Sequence, residues 1–174
     1  IDTTSVDSIT FATSADATRA MLNSITYVAA EEAPHEHVAG DWEEVTAATN
    51  TSNGLMVRKC ACGEVMEEKV IPAIIKFKGA SLELQSNLSI IYTVDKSYFT
   101  TFGYTNPYVV FKLGSVTETV TEYTLRSTDG AYQFKFSGIA PHFMNDNIAV
   151  TLYAENNGET YTAEHNTYSV VTYC

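Results

Sequence analysis

Apolar and polar residues alternate over much of the chain. Ile148, Val150, Leu152 and Ala154 alternate with Ala149, Thr151 and Tyr153, the period of two expected of a strand with one face on a core. From Ile74 onward the same pattern recurs between turn signals at short intervals. It predicts strands near Ser81–Gln85, Leu88–Val94, Tyr108–Leu113, Glu118–Leu125, Ala131–Phe136, Ile148–Ala154, Thr160–Ala163 and Tyr168–Thr172. A Gly/Pro/Asn-rich loop that no helix can cross joins the run ending at Phe136 to the one opening at Ile148. Asp129-Gly130 and Asn157-Gly158 each separate two runs and are strong hairpin signals. Seven or eight short strands spaced in this way predict an all-β fold, an immunoglobulin-like two-sheet sandwich over residues 74–174. The Cys…Trp…Cys spacing of a true immunoglobulin domain is missing.

Upstream the pattern changes. Between His35 and Pro72, two histidines, the single Trp42 and two cysteines fall in one short acidic-polar segment. Strands are expected at Trp42–Val45, Leu55–Lys59 and Glu64–Val70, with Asn50–Gly54 as a loop. Residues 35–73 therefore read as a small His/Cys β-ribbon. Residues 1–34 are rich in Thr, Ser, Ala and Asp and read as a linker or the tail of a preceding module. A short helix opening at Ser14 and a strand at Asn23–Ala29 are both compatible with that stretch.

Composition narrows the function. Eleven Tyr and eight Phe stand beside one Trp, which is strand chemistry. A net charge of −11 over 174 residues repels a phosphate backbone, and no basic stripe offsets it, so nucleic acid is not an expected partner. No apolar run reaches the length that spans a bilayer, so no membrane insertion is expected. The sequence starts at Ile1 without a Met or a basic n-region and is expected to be a processed part of a larger polypeptide. Three cysteines do not describe a disulfide scaffold.

The segments Gly79-Ala-Ser-Leu-Glu-Leu, Gly103-Tyr-Thr-Asn-Pro-Tyr-Val-Val-Phe, Gly138-Ile-Ala-Pro-His-Phe-Met-Asn-Asp and Tyr168-Ser-Val-Val-Thr-Tyr-Cys resemble a β-sandwich module of large secreted and cell-surface proteins of Gram-positive gut anaerobes. There it often sits beside glycan-active or dockerin-bearing domains. Residues 35–72 resemble a small repeat of the same proteins, of the form His…Trp…Gly-Leu…Lys-Cys-x-x-Cys-Gly-Glu-Val…Ile-Pro. His37, Trp42, Gly54-Leu55, Lys59-Cys60, Gly63-Glu-Val and Ile71-Pro72 match it. Cys60-Ala-Cys62 is one residue shorter than the repeat's knuckle, and a cysteine of that repeat is replaced near Thr49. The resemblance implies an extracellular or cell-surface location and no catalytic role. The implied partners are neighbouring domains of the same polypeptide, with polysaccharide or host glycoprotein as a further class.

Among constellations that carry chemistry, His35, His37, Cys60 and Cys62 are the candidate metal ligands. Two pairs at spacing two place both members on one side of an extended strand, so a ribbon can present two nitrogens and two sulfurs to a structural zinc. A disulfide involving Cys60, Cys62 or Cys174, or free thiols, are the alternatives. Trp42 is either a sugar-stacking platform or the core of the ribbon, and the burial tendency of aromatics favours the core. Tyr98, Tyr104 and Tyr108 are the further ligand-binding candidates, with Tyr98–Tyr104 the most loop-like aromatic cluster. Tyr92, Tyr123, Tyr153 and Tyr161 are the other tyrosines able to line a strand face or loop rim, and most of the tyrosines are expected to pack across strands. No nucleophile elbow, zinc-protease helix, phosphate loop or calcium loop occurs. The expectation is a non-catalytic module acting as spacer or adhesion unit. Carbohydrate binding through exposed tyrosines or Trp42 is the alternative, and a glycan-active enzyme fragment a more distant one.

Overall fold

The computed structural model describes residues 36–85 and 87–173. Expectations for residues 1–34, for His35 and for Cys174 lie outside the described residues. The described residues from His37 onward form one compact unit, in which three antiparallel sheets are built.

The ribbon is the sheet β1 (Trp42–Thr46), β2 (Gly54–Lys59) and β3 (Val65–Ile71), in that order. The sandwich follows. One layer takes β4 (Phe77–Leu84), β5 (Leu88–Val94), β9 (Tyr132–Ser137) and β8 (Thr124–Leu125), in the order β4-β5-β9-β8. The other takes β6 (Thr105–Leu113), β7 (Val116–Val120), β10 (Ile148–Asn156) and β11 (Glu159–Tyr168), in the order β11-β10-β6-β7. The alternation read from the sequence is the alternation of burial. Ile148, Val150, Leu152 and Ala154 point inward from β10 and meet Val109, Phe111 and Leu113 of β6 in the core. Ile90, Tyr92 and Val94 of β5 with Phe134 and Phe136 of β9 supply the facing side. Phe111 stacks on Phe136 at 5.1 Å and meets Tyr92 at 5.6 Å, so aromatic rings stitch the two layers together. Each such side chain stabilises the fold by about 1.5–3 kcal/mol through burial alone.

Turn chemistry follows the sequence at both predicted hairpins. Asn157 and Gly158 have φ of +51° and +80° between the paired Asn156 and Glu159, the left-handed pair that matches strand twist. Gly130 has φ of +70°, and Asp129 closes its loop by accepting from Arg126 Nε at 2.9 Å and the Ala131 N–H at 3.1 Å. Lys78 on β4 reaches both Asp129, at 2.9 Å, and Asp95, at 3.1 Å. Arg126 and Lys78 together hold the Asp129 carboxyl far below the usual carboxylate range.

Three expectations need correction. The run predicted as one strand over Glu118–Leu125 is two, β7 and β8, because the chain leaves one sheet after Val120 and joins the other at Thr124. The strand expected at Tyr168–Thr172 is absent. β11 runs unbroken to Tyr168, and a short helix, α2 (Val170–Tyr173), follows it. There Val170 is buried in the core while the Val171 N–H donates to the Met144 carbonyl at 3.2 Å, so tertiary packing overrides the strand preference of the β-branched pair. The aromatic cluster Tyr98–Tyr104 is not an open loop. It begins as a one-turn helix, α1 (Ser97–Thr100), whose Tyr98 is buried.

The 47–53 loop between β1 and β2 seats the ribbon on the sandwich. Ile74 N–H donates to the Thr49 carbonyl at 2.8 Å, and Ala73 N–H to Asn53 Oδ1 at 2.8 Å. From the sandwich side, the Tyr98 hydroxyl donates to the Asn50 carbonyl at 3.1 Å and the Tyr104 hydroxyl to the Ala73 carbonyl at 2.7 Å. Gly54 is required at the loop's exit: a Cβ there would lie 2.5 Å from both the Thr46 oxygen and the Ala48 nitrogen, backbone atoms with no freedom to give way.

Candidate functional site

The ribbon's tip is a turn. Cys60 follows the last residue of β2, and the Gly63 N–H donates to the Cys60 carbonyl at 2.8 Å while the Cys60 N–H donates to the Glu64 carbonyl at 2.9 Å. Gly63 takes φ of +93°, a conformation that costs glycine little. Cys60 and Cys62 are therefore brought together by a turn, not by two positions along one extended strand as their spacing suggested. The 36–41 segment returns past this turn, fixed by the Gly40 N–H donating to the Lys59 carbonyl at 2.9 Å and by Arg58 Nε donating to the Gly40 carbonyl at 2.7 Å.

That return carries His37 to the thiols. The ligand atoms of His37, Cys60 and Cys62 all lie within 4.8 Å of one another, with Cys60 buried and the other two exposed. His37 Nδ1 is 3.5 Å from Cys62 Sγ. A tetrahedral zinc with Zn–S of about 2.3 Å and Zn–N of about 2.0–2.1 Å sets its nitrogen and sulfur about 3.5 Å apart. Cys60 and Cys62 are both free thiols, so two thiolates and one imidazole are available to a soft or borderline cation. Glu64 Oε2 lies 3.1 Å from His37 Nδ1. No spacing rule pointed to Glu64, and the only trace of it in the sequence is its place in the Gly63-Glu-Val motif. His35 lies outside the described residues.

No known protein family, curated protein or solved structure matches the chain.

The aromatic candidates separate into two groups. Tyr98 and Tyr104 are 3% and 2% exposed and meet edge-on at 6.2 Å, with Tyr161 against Tyr104 at 5.5 Å. Neither has a ring face to offer a ligand, which corrects the expectation of a platform there. The reason is the polar handle of tyrosine: both rings fill the core while the Tyr98 hydroxyl reaches the ribbon loop at Asn50 and the Tyr104 hydroxyl the β3–β4 connection at Ala73. Burial pushes the Tyr98 hydroxyl up and the Tyr104 hydroxyl up to about 12. Trp42 is 38% exposed, against the expectation that it forms the ribbon's core. A single-layer sheet has no opposing layer to cover it, and the Arg58 guanidinium sits over its ring at 5.7 Å. Tyr108 is half-buried and lies parallel to its cross-strand partner Tyr153, with ring centroids 4.8 Å apart and planes within 2°.

Proposed function

We propose that this chain is a non-catalytic extracellular module of a larger surface or secreted protein, acting as a spacer or adhesion unit that holds neighbouring domains in place. The observation that carries the reading is the seating of the ribbon on the sandwich: four hydrogen bonds of 2.7–3.1 Å join the 47–53 loop and the β3–β4 connection to the sandwich and to each other. A spacer must transmit position across its length, and hydrogen-bonded loops packed on buried rings do so where a flexible linker cannot. The sandwich orders β4-β5-β9-β8 and β11-β10-β6-β7 follow the connectivity of an A-B-E-D sheet facing a G-F-C-C′ sheet, which supports an immunoglobulin-like topology. Backbone nitrogen relaxation tests the spacer role. The amides of β1–β3 and of the sandwich are expected to report one rotational correlation time, and independent tumbling of the ribbon would remove the basis for the reading.

The same proposal includes a structural zinc at the ribbon's tip, held by His37, Cys60 and Cys62 with the fourth position taken by His35 or the nearby Glu64 carboxylate. The 3.5 Å approach of His37 to Cys62 supports it. A closed zinc site contributes folding free energy to a sheet too small to stand alone. Cobalt substitution of the reduced protein is expected to give one equivalent bound, with thiolate charge-transfer absorption and tetrahedral d–d bands. A Cys60–Cys62 disulfide that forms in the presence of excess metal would rule the site out.

A further inference from the structure

The crossover from β7 to β8 is bordered by two hollows. The larger, of about 560 Å³, lies over the outer side of the β4-β5-β9-β8 sheet and is lined by Glu83, Tyr123, Gln133 and Lys135 among others. The second, of about 440 Å³, is lined by Asn106, Tyr108 and again Tyr123. Both fall within the size range of small-molecule sites, and Tyr123 is the wall they share.

We propose that this crossover binds a neutral oligosaccharide, with one sugar on Tyr123 in the larger hollow and the next reaching Tyr108 in the smaller. Tyr123 is 43% exposed, yet its ring is fixed from behind by Tyr132 at 4.4 Å and Phe134 at 5.9 Å. An exposed ring that is already ordered offers its face to a pyranose with little further loss of entropy. Tyr108 is held in the same way by its stack on Tyr153.

The polar groups fit a polyhydroxylated ligand. Gln133 presents an amide that can both donate and accept, and the Glu83 and Lys135 side chains, ion-paired across the sheet, offer acceptor and donor atoms without net charge. Asn106 donates to Glu155 at 2.8 Å, which orients its amide at the second hollow. Charge decides against an anionic ligand: the lysine that reaches the larger hollow is neutralised by Glu83, and the chain carries a net −11. At Tyr123 the sheet edge is β8, two residues long, which is too short to template an added peptide strand there.

The test is a titration of the 174-residue chain with cello-, xylo-, malto- and chito-oligosaccharides and with oligogalacturonate, followed by amide chemical shifts. Saturable shifts are expected from at least one neutral probe, confined to residues 106–108, 120–124 and 133–137. Tyr123→Ala and Gln133→Ala are each expected to weaken binding about tenfold with an unchanged melting temperature. Gln133→Ala decides alone if Tyr123→Ala lowers the melting temperature. No saturable shift with any neutral probe, shifts centred on Trp42, preference for oligogalacturonate, or unchanged affinity in the deciding variant would each overturn the assignment.

Discussion

Tyr104→Phe isolates one hydrogen bond between sandwich and ribbon. The ring stays and only the hydroxyl is lost, so the packing against Tyr98 and Tyr161 is conserved. What remains is the Ala73 carbonyl, which accepts from Tyr104 at 2.7 Å and belongs to a residue with 0% exposure, beyond the reach of replacing water. An acceptor stranded in this way costs about 1–3 kcal/mol. For a chain of this size that corresponds to a fall of roughly 2–12 °C in melting temperature. Tyr98→Phe is the internal comparison: its acceptor, Asn50, is only half-buried, so water can take over part of the bond and the loss falls nearer the net value of about 0.5–1.5 kcal/mol. Alkali adds a second signature. The folded Tyr104 hydroxyl titrates at about 12, above the ordinary value near 10, so its contribution is complete below about pH 10 and is lost as pH rises towards 12. The Phe variant lacks that contribution, and the stability gap between it and the parent must narrow over the same window. Urea unfolding followed by circular dichroism at neutral pH and at about pH 11 reads both effects, and hydrogen exchange reports whether the amides of β2 open faster. A gap under about 0.5 kcal/mol at neutral pH, or one that is constant through the alkaline window, would refute the reasoning.

Gly54→Ala places a Cβ 2.5 Å from two backbone atoms and is expected to cost about 1–3 kcal/mol, with thermal melting as the check. Asp129→Asn removes a carboxylate held ionised by Arg126 and Lys78. The parent's advantage over this variant is expected in full above about pH 4 and to fade as pH falls below it, measured by unfolding across an acid series. Chelation of the zinc-loaded protein is expected to lower the melting temperature, and His37→Ala or Cys62→Ser to abolish that difference. Ile90→Ala, at a site with 0% exposure between the layers, is expected to cost about 2–5 kcal/mol in denaturant unfolding.

The strands were legible because burial in a sandwich is written with the same period of two as the backbone. β5 runs Leu88–Val94 and the ribbon strands fall within a residue or two of their expected ends. What local pattern could not carry was the crossing between sheets at residues 121–123 and the helical end at Val170, since both depend on what lies opposite. The candidate metal cluster was half legible. The spacing of Cys60 and Cys62 showed two sulfurs, while the turn at Gly63 and the approach of Glu64 are three-dimensional facts. Aromatic residues misled most. Tyr98 and Tyr104 have the composition of an exposed loop, but their hydroxyls had partners about fifty and thirty positions upstream, Asn50 in the β1–β2 loop and Ala73 in the β3–β4 connection. Trp42 belongs to a sheet without a facing layer, so the burial tendency of its side chain found nothing to bury against.

The seating of the ribbon also sets an order of events during synthesis. Translation makes β1, β2 and β3 first, but the hydroxyls that hold their loop and the connection after β3 belong to Tyr98 and Tyr104, which emerge about 30–50 residues after the carbonyls they bond. Until then the nascent ribbon has only its own pairing, which is marginal for so small a sheet, and Val45, Val65 and Val70, exposed even in the finished fold, are open to wrong partners on the emerging chain. A metal captured early at the tip would hold the three strands in register while the ribosome delivers the rest.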